Sequence, residues 1–419
     1  MRFDIFCSLT PATAGGRRPT EAEVLSNLLD QCRAADQLGY GTVWVAESHN
    51  SNETQKRHPR PVLPHWDGEV GLNTDVCLLA PQVFARTRRL DVGSAITNIV
   101  ANGGPVPAAE RVTSTLAWHG LDPMERRRLR IGFSSGRFDF VNELTGVRPR
   151  NAWEHLAWRQ VRRAVLWEAA EIFVRLVSGA EISSADIEPV ALTRADFPDE
   201  QQWHQVLSAA GQRGDRLPVP PQWSFLPTRI VPLHPRRELL RLYLGSADPA
   251  LQTHLNRFAP VRVFNLSITP DAVIEQMQAR MAATYHPSGG DWRQEHMPRT
   301  TFVFLDARPG LGRAGRRAAA RDQARATLGA YWRAMQGTID AKRVAEAADN
   351  ALVGDPEEIA DQIVRRFHPE DRLMLWFDFV NHDNARVIED MAAVMREVVP
   401  LLQERGLPVR LPADEVARS

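Results

Sequence analysis

The feature that most constrains this chain is an alternation: short apolar runs recur along it, each followed by a stretch with apolar residues at helical spacing. Arg2–Leu9 reads as a strand, and Glu21–Leu38 as an amphipathic helix stopped by Gly39. The β-branched and aromatic run Gly41–Ala46 reads as the second strand. Asp75–Arg86 reads as helix, Leu90–Ala95 as strand, Val106–His119 as helix, Arg130–Phe133 as strand and Ala152–Val177 as one long helix. In the second half, Leu239–Leu244 pairs with Pro249–Phe258, and Val261–Phe264 with Asp271–Tyr285. Thr301–Leu305 pairs with the Ala/Arg-rich stretch around Arg313–Arg325, and Arg372–Phe377 with Asn384–Leu402. Strands that each carry a helix behind them predict parallel βα units. The expected fold class is α/β, a (β/α)8 TIM barrel, with an open doubly wound sheet as the competitor.

A barrel needs about 250 residues and tolerates insertions, so the 419 residues are expected to form a single domain spanning 1–419. Two segments break the rhythm: 49–73, after the second strand, and 178–237, before the fifth, with a short helix expected near Glu200–Ala210. Loops this long inside a compact domain are usually functional or disordered. The first should lie on the catalytic face. The second follows a helix, so much of it is expected to cover the opposite face.

Lys+Arg and Asp+Glu both number 51, which excludes a global field drawing the chain to nucleic acid or anionic lipid. Cys7, Cys32 and Cys77 are odd in number and lack CxxC spacing, so a disulfide framework is not expected and a reducing cytoplasm fits. No apolar run approaches the roughly 20 residues of a membrane span, and Pro11 interrupts the start before a signal-peptide core could form. A cytoplasmic protein with no membrane or nucleic-acid partner is expected.

Residues just past the strand ends of a parallel barrel point into its site. They are Glu47, Ser48 and His49; Thr97 and Asn98; Ser134, Ser135, Gly136 and Arg137; Gly245, Ser246 and Asp248; and Asp378 and Phe379. In GSADPAL (Gly245–Leu251) a glycine and a hydroxyl lead into a helix, whose free N–H groups and dipole favour a phosphate. The plainer reading is an N-cap with no ligand. His49 could act as an acid or base, or be a solvated loop residue. His58 and His65 share a loop without metal-binding spacing, so no metal is expected. A Walker element is absent, which gives a P-loop nucleotide fold no support.

Taken in order, several stretches resemble the bacterial luciferase-like family of flavin-dependent monooxygenases. LGYGTVWVAESHN is similar to the family's "G-[FY]-x-x-x-W-x-x-E-H-H", and RTRRLDVGSAITNIV to its third strand. RLRIGFSSGRFDFVNELTG resembles the strand-four exit, and LYLGSADPA the strand-five phosphate site. ALVGDPEEIADQIVRRF, RLMLWFDF and VVPLL resemble its terminal helix, last strand and closing helix.

The resemblance implies reduced FMN supplied by a separate reductase. With O2, it would hydroxylate or insert oxygen into a medium-sized organic substrate, in a homodimer. A branch of the family uses F420 for hydride transfer, and a non-catalytic flavin-binding barrel is a further alternative. It also implies cofactor contacts at Ala95 and Ile96 (through a cis peptide), Ser134, Ser135, Gly136, Arg137, Gly245 and Ser246. The implied catalytic set is His49, Glu47, Ser48 and Asn98. Ser48 stands where luciferases have a catalytic histidine, Ser135 where they have a phosphate arginine, and Gly245 where they have a glutamate, so aldehyde-driven light emission is not expected. The loop 49–73 is expected to be a substrate lid, with Trp66 as apolar cover and His58, His65 and Asp67 orienting the substrate.

Overall fold

The computed structural model describes residues 1–14, 16–265, 269–337 and 350–411. Its strands are β1 (Arg2–Cys7), β2 (Thr42–Val45), β3 (Asp91–Asn98), β4 (Leu129–Ser134), β5 (Ala191–Thr193) and β6 (Arg216–Pro218). They continue with β7 (Leu240–Leu244), β8 (Val261–Val263), β9 (Arg299–Leu305), β10 (Leu352–Gly354) and β11 (Arg372–Trp376). The main sheet runs β10-β9-β11-β1-β2-β3-β4-β7-β8, and its neighbouring strands pair in parallel. Beyond β8 the sheet meets its own far side. Asn265 bridges Arg299 in parallel, its N–H donating to Pro298 O (3.2 Å) and its carbonyl accepting from Thr300 N (3.2 Å). The sheet is thus a TIM barrel, and its barrel strands are the ones the alternation predicts. β10 was not foreseen; it adds outside the ring, on β9.

Period-two alternation places the core on two surfaces. Ile5, Val43, Val45, Val92 and Ile131 join the main core that also takes up the surrounding helices. Phe6, Trp44, Tyr243, Phe264 and Met374 fill the barrel interior. Gly93 makes room for the Trp44 ring, because a Cβ there would lie 2.5 Å from Trp44 Cε3. Below the aromatic layer the interior is ionic. Asp4 accepts from Trp44 Nε1 (2.8 Å) and Arg372 Nη1 (2.9 Å), and Arg130 forks onto Asp91. A buried network of this kind is tolerable only with its partners in place, and it plugs the end opposite the strand exits.

Three expectations change at element level. The long helix 152–177 is two, Ala152–Leu156 and Trp158–Val177, broken at Ala157. The Ala/Arg-rich helix Arg313–Ala334 packs with Phe302 and Phe304 of β9 in a satellite cluster rather than in the main core. It buries only Ala320, Ala324, Leu328 and Ala334, while Pro356–Arg366, after β10, puts Ile359, Ala360 and Ile363 into that core. The insertion 178–237, which carries the β5–β6 ribbon and the helix Glu200–Ala209, runs along the outside of the helices rather than only over the far face. Its Gln222 and Trp223 N–H groups donate to Glu168, and Trp223 abuts Gly104 at the head of helix Pro105–His119. The closing helix holds a π segment, Val394–Val398, just before Pro400, which has no N–H to offer the regular ladder.

Candidate active site

The strand exits gather most of the anticipated residues around one mouth. Its floor is half-buried Ala95 and Ile96, packed with Ala46 and Trp376 on the interior aromatics. The Ala95–Ile96 peptide is cis, as the resemblance implied, and the β3–β4 register shifts between Ser94 and Thr97. Gly245 lies directly beside this floor: a Cβ there would sit 2.2 Å from Ile96 Cδ1. The glutamate that luciferases carry at this position would collide in the same way, so glycine here goes with the placement of Ile96.

One wall carries the ionisable groups. Glu47 leaves β2 with its side chain 2% exposed. It accepts a 2.7 Å hydrogen bond from Thr97 Oγ1, which in turn lies 2.7 Å from Ser94 Oγ. Burial pushes the Glu47 carboxyl up to about 7, against the hydrogen bonds from Ser94 and Thr97 that favour its charge. His49 Nδ1 is 3.2 Å from Asn102 Nδ2, and its Nε2 is 3.8 Å from Glu47 Oε2. That Nε2 is buried without a hydrogen-bond partner. Burial also lowers the imidazole pKa, which keeps the ring neutral at pH 7.

Other anticipated residues hold the frame. Asn98 Oδ1 accepts from Val100 N and Ala101 N, and its Nδ2 donates to Asn142 Oδ1. Ser48 is pressed against the returning end of the 49–73 loop, where a Cβ on Gly71 would come within 2.7 Å of its Oγ. Asp378 turns away toward β1, accepting from Ser8 N at 3.0 and 3.2 Å, and burial raises it to about 7.

Two turns lie side by side because β4 pairs with β7. In the first, Asn142 Nδ2 donates to Ser135 O and Arg162 Nη2 to Gly136 O, while Gly136 takes φ 73°. In the second, Ser246 Oγ accepts from Asp248 N. Asp248 caps Pro249–Leu255 through Ala250 N and Leu251 N. Arg137 is exposed and reaches toward Tyr331 Oη (3.4 Å) and Met335 Sδ (3.3 Å) on the far side of the mouth.

A roof of aromatic side chains completes the site. Trp66, 8% exposed, meets Tyr331 edge-on at 6.0 Å, and Tyr331 meets Phe379 at 5.0 Å. Phe379 packs on Trp376 and Phe302, which are stacked at 4.8 Å. Gln55 fixes the 49–73 loop from within, bonding the Val62 and Leu63 amides and the Leu63 carbonyl. His58 lies against Glu143 (3.1 Å), while His65 and Asp67 are exposed. Sequence reasoning missed Tyr331, Phe302 and Trp376. The available signal was AYWRAM, an aromatic cluster ending an otherwise Ala/Arg helix.

This fold and mouth have known counterparts. Residues 1–223 match the luciferase-like monooxygenase family, and the chain belongs to that family. By family it is an oxidoreductase. A stretch of 101 residues is 29% identical to an uncharacterized protein, y4vJ, of Sinorhizobium fredii, covering 23% of this chain and 28% of that protein's length. Three solved structures share the fold. The monooxygenase RslO1 of Streptomyces bottropensis is 18% identical, with TM-score 0.60 over 96% of this chain and 99% of its own. The oxygenating constituent of 3,6-diketocamphane monooxygenase from the CAM plasmid of Pseudomonas putida, in complex with FMN, is 13% identical, with TM-score 0.53 over 98% and 100%. An F420-dependent secondary alcohol dehydrogenase with an F420–acetone adduct is 14% identical, with TM-score 0.51 over 95% and 98%. Among the described residues no helix is long and apolar enough to cross a membrane.

Proposed function

We propose that this chain is a flavin-dependent monooxygenase that takes reduced FMN from a separate reductase and uses O2 to oxygenate a medium-sized apolar organic substrate. Bound reduced FMN would supply the two electrons that activate O2. The observation carrying the reading is the combination at one mouth of an apolar floor and a buried, unpartnered nitrogen: Ala95 and Ile96 beside Gly245, and His49 Nε2. An apolar floor suits a flat ring, and a buried polar atom without a partner calls for a bound one. The residues therefore fit a flavin.

In this reading Ala95, Ile96 and Gly245 support the ring. Ser134, Ser135, Gly136, Arg137 and Ser246 hold the phosphate in the cleft between the two turns, beside the Asp248 cap. His49 presents Nε2 to the reacting centre as hydrogen-bond donor or acceptor. Glu47, poised near neutrality and backed by Thr97, holds or accepts a proton beside it. Asn98 and Ser48 position the loops that carry these groups. The aromatic roof excludes water and favours an apolar substrate. The protein is read as one domain, a cytoplasmic homodimer, the pairing supported by exposed Leu78 (76%) and Trp118 (75%) on neighbouring helices.

The second reading, hydride transfer with F420, keeps the same floor. The exposed guanidinium of Arg137 at the mouth would serve a longer, more anionic tail equally well. Equilibrium titration with FMN and with F420 separates the two: the proposal expects FMN to bind at least tenfold more tightly, and the reverse order would overturn it.

A further inference from the structure

At the end of the barrel opposite the mouth, an open pocket of about 590 Å³ is lined by Gly120, Pro123, Arg126, Arg128, Arg236, Glu238, Leu239 and Arg241. It arises where β4 and β7 begin side by side, since Arg128 precedes β4 and Arg241 is the second residue of β7. Four guanidinium groups face one carboxylate there, and the nearby acids are already engaged. Glu238 takes Arg236 Nε at 2.7 Å. Glu125 takes Arg127 at 2.6 Å, and Asp91 takes Arg130 at 2.7 Å. Half-buried Arg241 donates from Nη1 to the carbonyls of Glu238 (2.7 Å) and Leu240 (2.6 Å). Behind it, Arg130 and Arg262 share the hydroxyl of Tyr243 (2.5 and 3.1 Å). Burial first, then Arg262, Arg128 and Arg130, holds Arg241 down at about 10. A partly buried cation among cations is costly unless an anion completes it.

We infer that this pocket is an anion-binding site, distinct from the mouth, that takes the phosphate or diphosphate end of a small molecule. Guanidinium forks match phosphate oxygens in pairs, and the volume exceeds what one phosphate fills, leaving room for an attached group against Pro123 and Leu239. The concavity favours a small ligand over the flat acidic face of a protein partner.

The test is calorimetric titration of the full chain with pyrophosphate and, separately, with adenosine diphosphate, at low and at 0.3 M salt. One equivalent should bind, more weakly at high salt. Arg241→Gln should weaken it roughly tenfold or more, and Arg126→Gln, on the pocket's rim, should weaken it by less. Tighter binding of adenosine diphosphate would mark a nucleotide-like ligand, and equal binding a free phosphate or diphosphate. Because the mouth also has a phosphate-accepting cleft, Ser246→Asp serves as the opposite control and should leave pyrophosphate binding intact. No pyrophosphate heat in the wild type, equal binding in folded Arg241→Gln, or loss in Ser246→Asp would overturn the inference. If Arg241→Gln does not fold, Arg126→Gln and Arg236→Gln carry the comparison.

Discussion

Gly132 and Gly245 look alike in sequence, each at a strand that borders the mouth, yet an added methyl would meet different obstacles. At Gly132 a Cβ would press on Ser94 O at 2.5 Å, which is backbone, so β3 itself must shift. Gly132→Ala should lose about 1–3 kcal/mol of stability, read from denaturant midpoints. At Gly245 the obstacle is the tip of the Ile96 side chain, which can turn aside into the floor. Gly245→Ala should therefore keep its melting temperature and lose flavin affinity. A variant that melts early but binds flavin normally would contradict the assignment of the floor.

The ionisable wall makes a second claim at this scale. Glu47 is raised to about 7 by burial, above its unfolded value, so it favours the folded state least once pH exceeds 7 and most below about 4.5. Glu47→Gln should gain stability relative to wild type as pH rises from 5 to 8, by up to about 3 kcal/mol. Melting curves across that range check it; a gap independent of pH would mean that the carboxyl is solvated. His49→Ala should lower turnover roughly 10²-fold or more with modest loss of flavin, whereas a solvated loop histidine would leave turnover near wild type. Little of this was legible in sequence beyond position. WVAESHN placed Glu47 and His49 at a strand end, but Thr97 and Ser94 became their support only once β3 lay beside β2.

Among elements, the 49–73 loop and the end of helix Arg313–Ala334 together form the roof. Trp66 meets Tyr331, and His65 N donates to Ala334 O at 3.2 Å. The loop was legible as an excursion because it is too long for a βα connection and follows a strand. The helix was legible only as the return after Thr301–Leu305. Its Ala/Arg composition suits an exposed helix anywhere; in the structure Ala324 and Leu328 pack with Phe302 and Phe304, and Arg317 and Arg321 pair with Asp355 and Glu358. Replacing Lys56–Gly68 with a short Gly/Ser link should leave FMN bound but uncouple the enzyme, with product per flavin falling and hydrogen peroxide rising. A loop that only serves a subunit contact would instead weaken association in sedimentation, with coupling intact.

For the whole molecule, the strand–helix alternation carried the architecture because a parallel barrel writes each strand as a short apolar run and each return as an amphipathic helix. Closure was expected only from the count of eight strand–helix pairs. It depends on Asn265 meeting Arg299, a contact without a local signature. The proposed phosphate cleft was half legible: GSADPAL announced a helix start, and the structure makes Asp248 its cap and leaves Ser246 beside the strand-four turn. Ser246→Asp should accordingly cost roughly 2–5 kcal/mol of FMN binding, measured by fluorescence quenching. The central claim, that this mouth binds reduced FMN for reaction with O2, is tested most directly by anaerobic titration with reduced FMN followed by mixing with air-saturated buffer. One reduced FMN per chain, reoxidised at a rate that His49→Ala alters, is the result expected here. No binding, or reoxidation at the rate of free reduced FMN in both proteins, would contradict it.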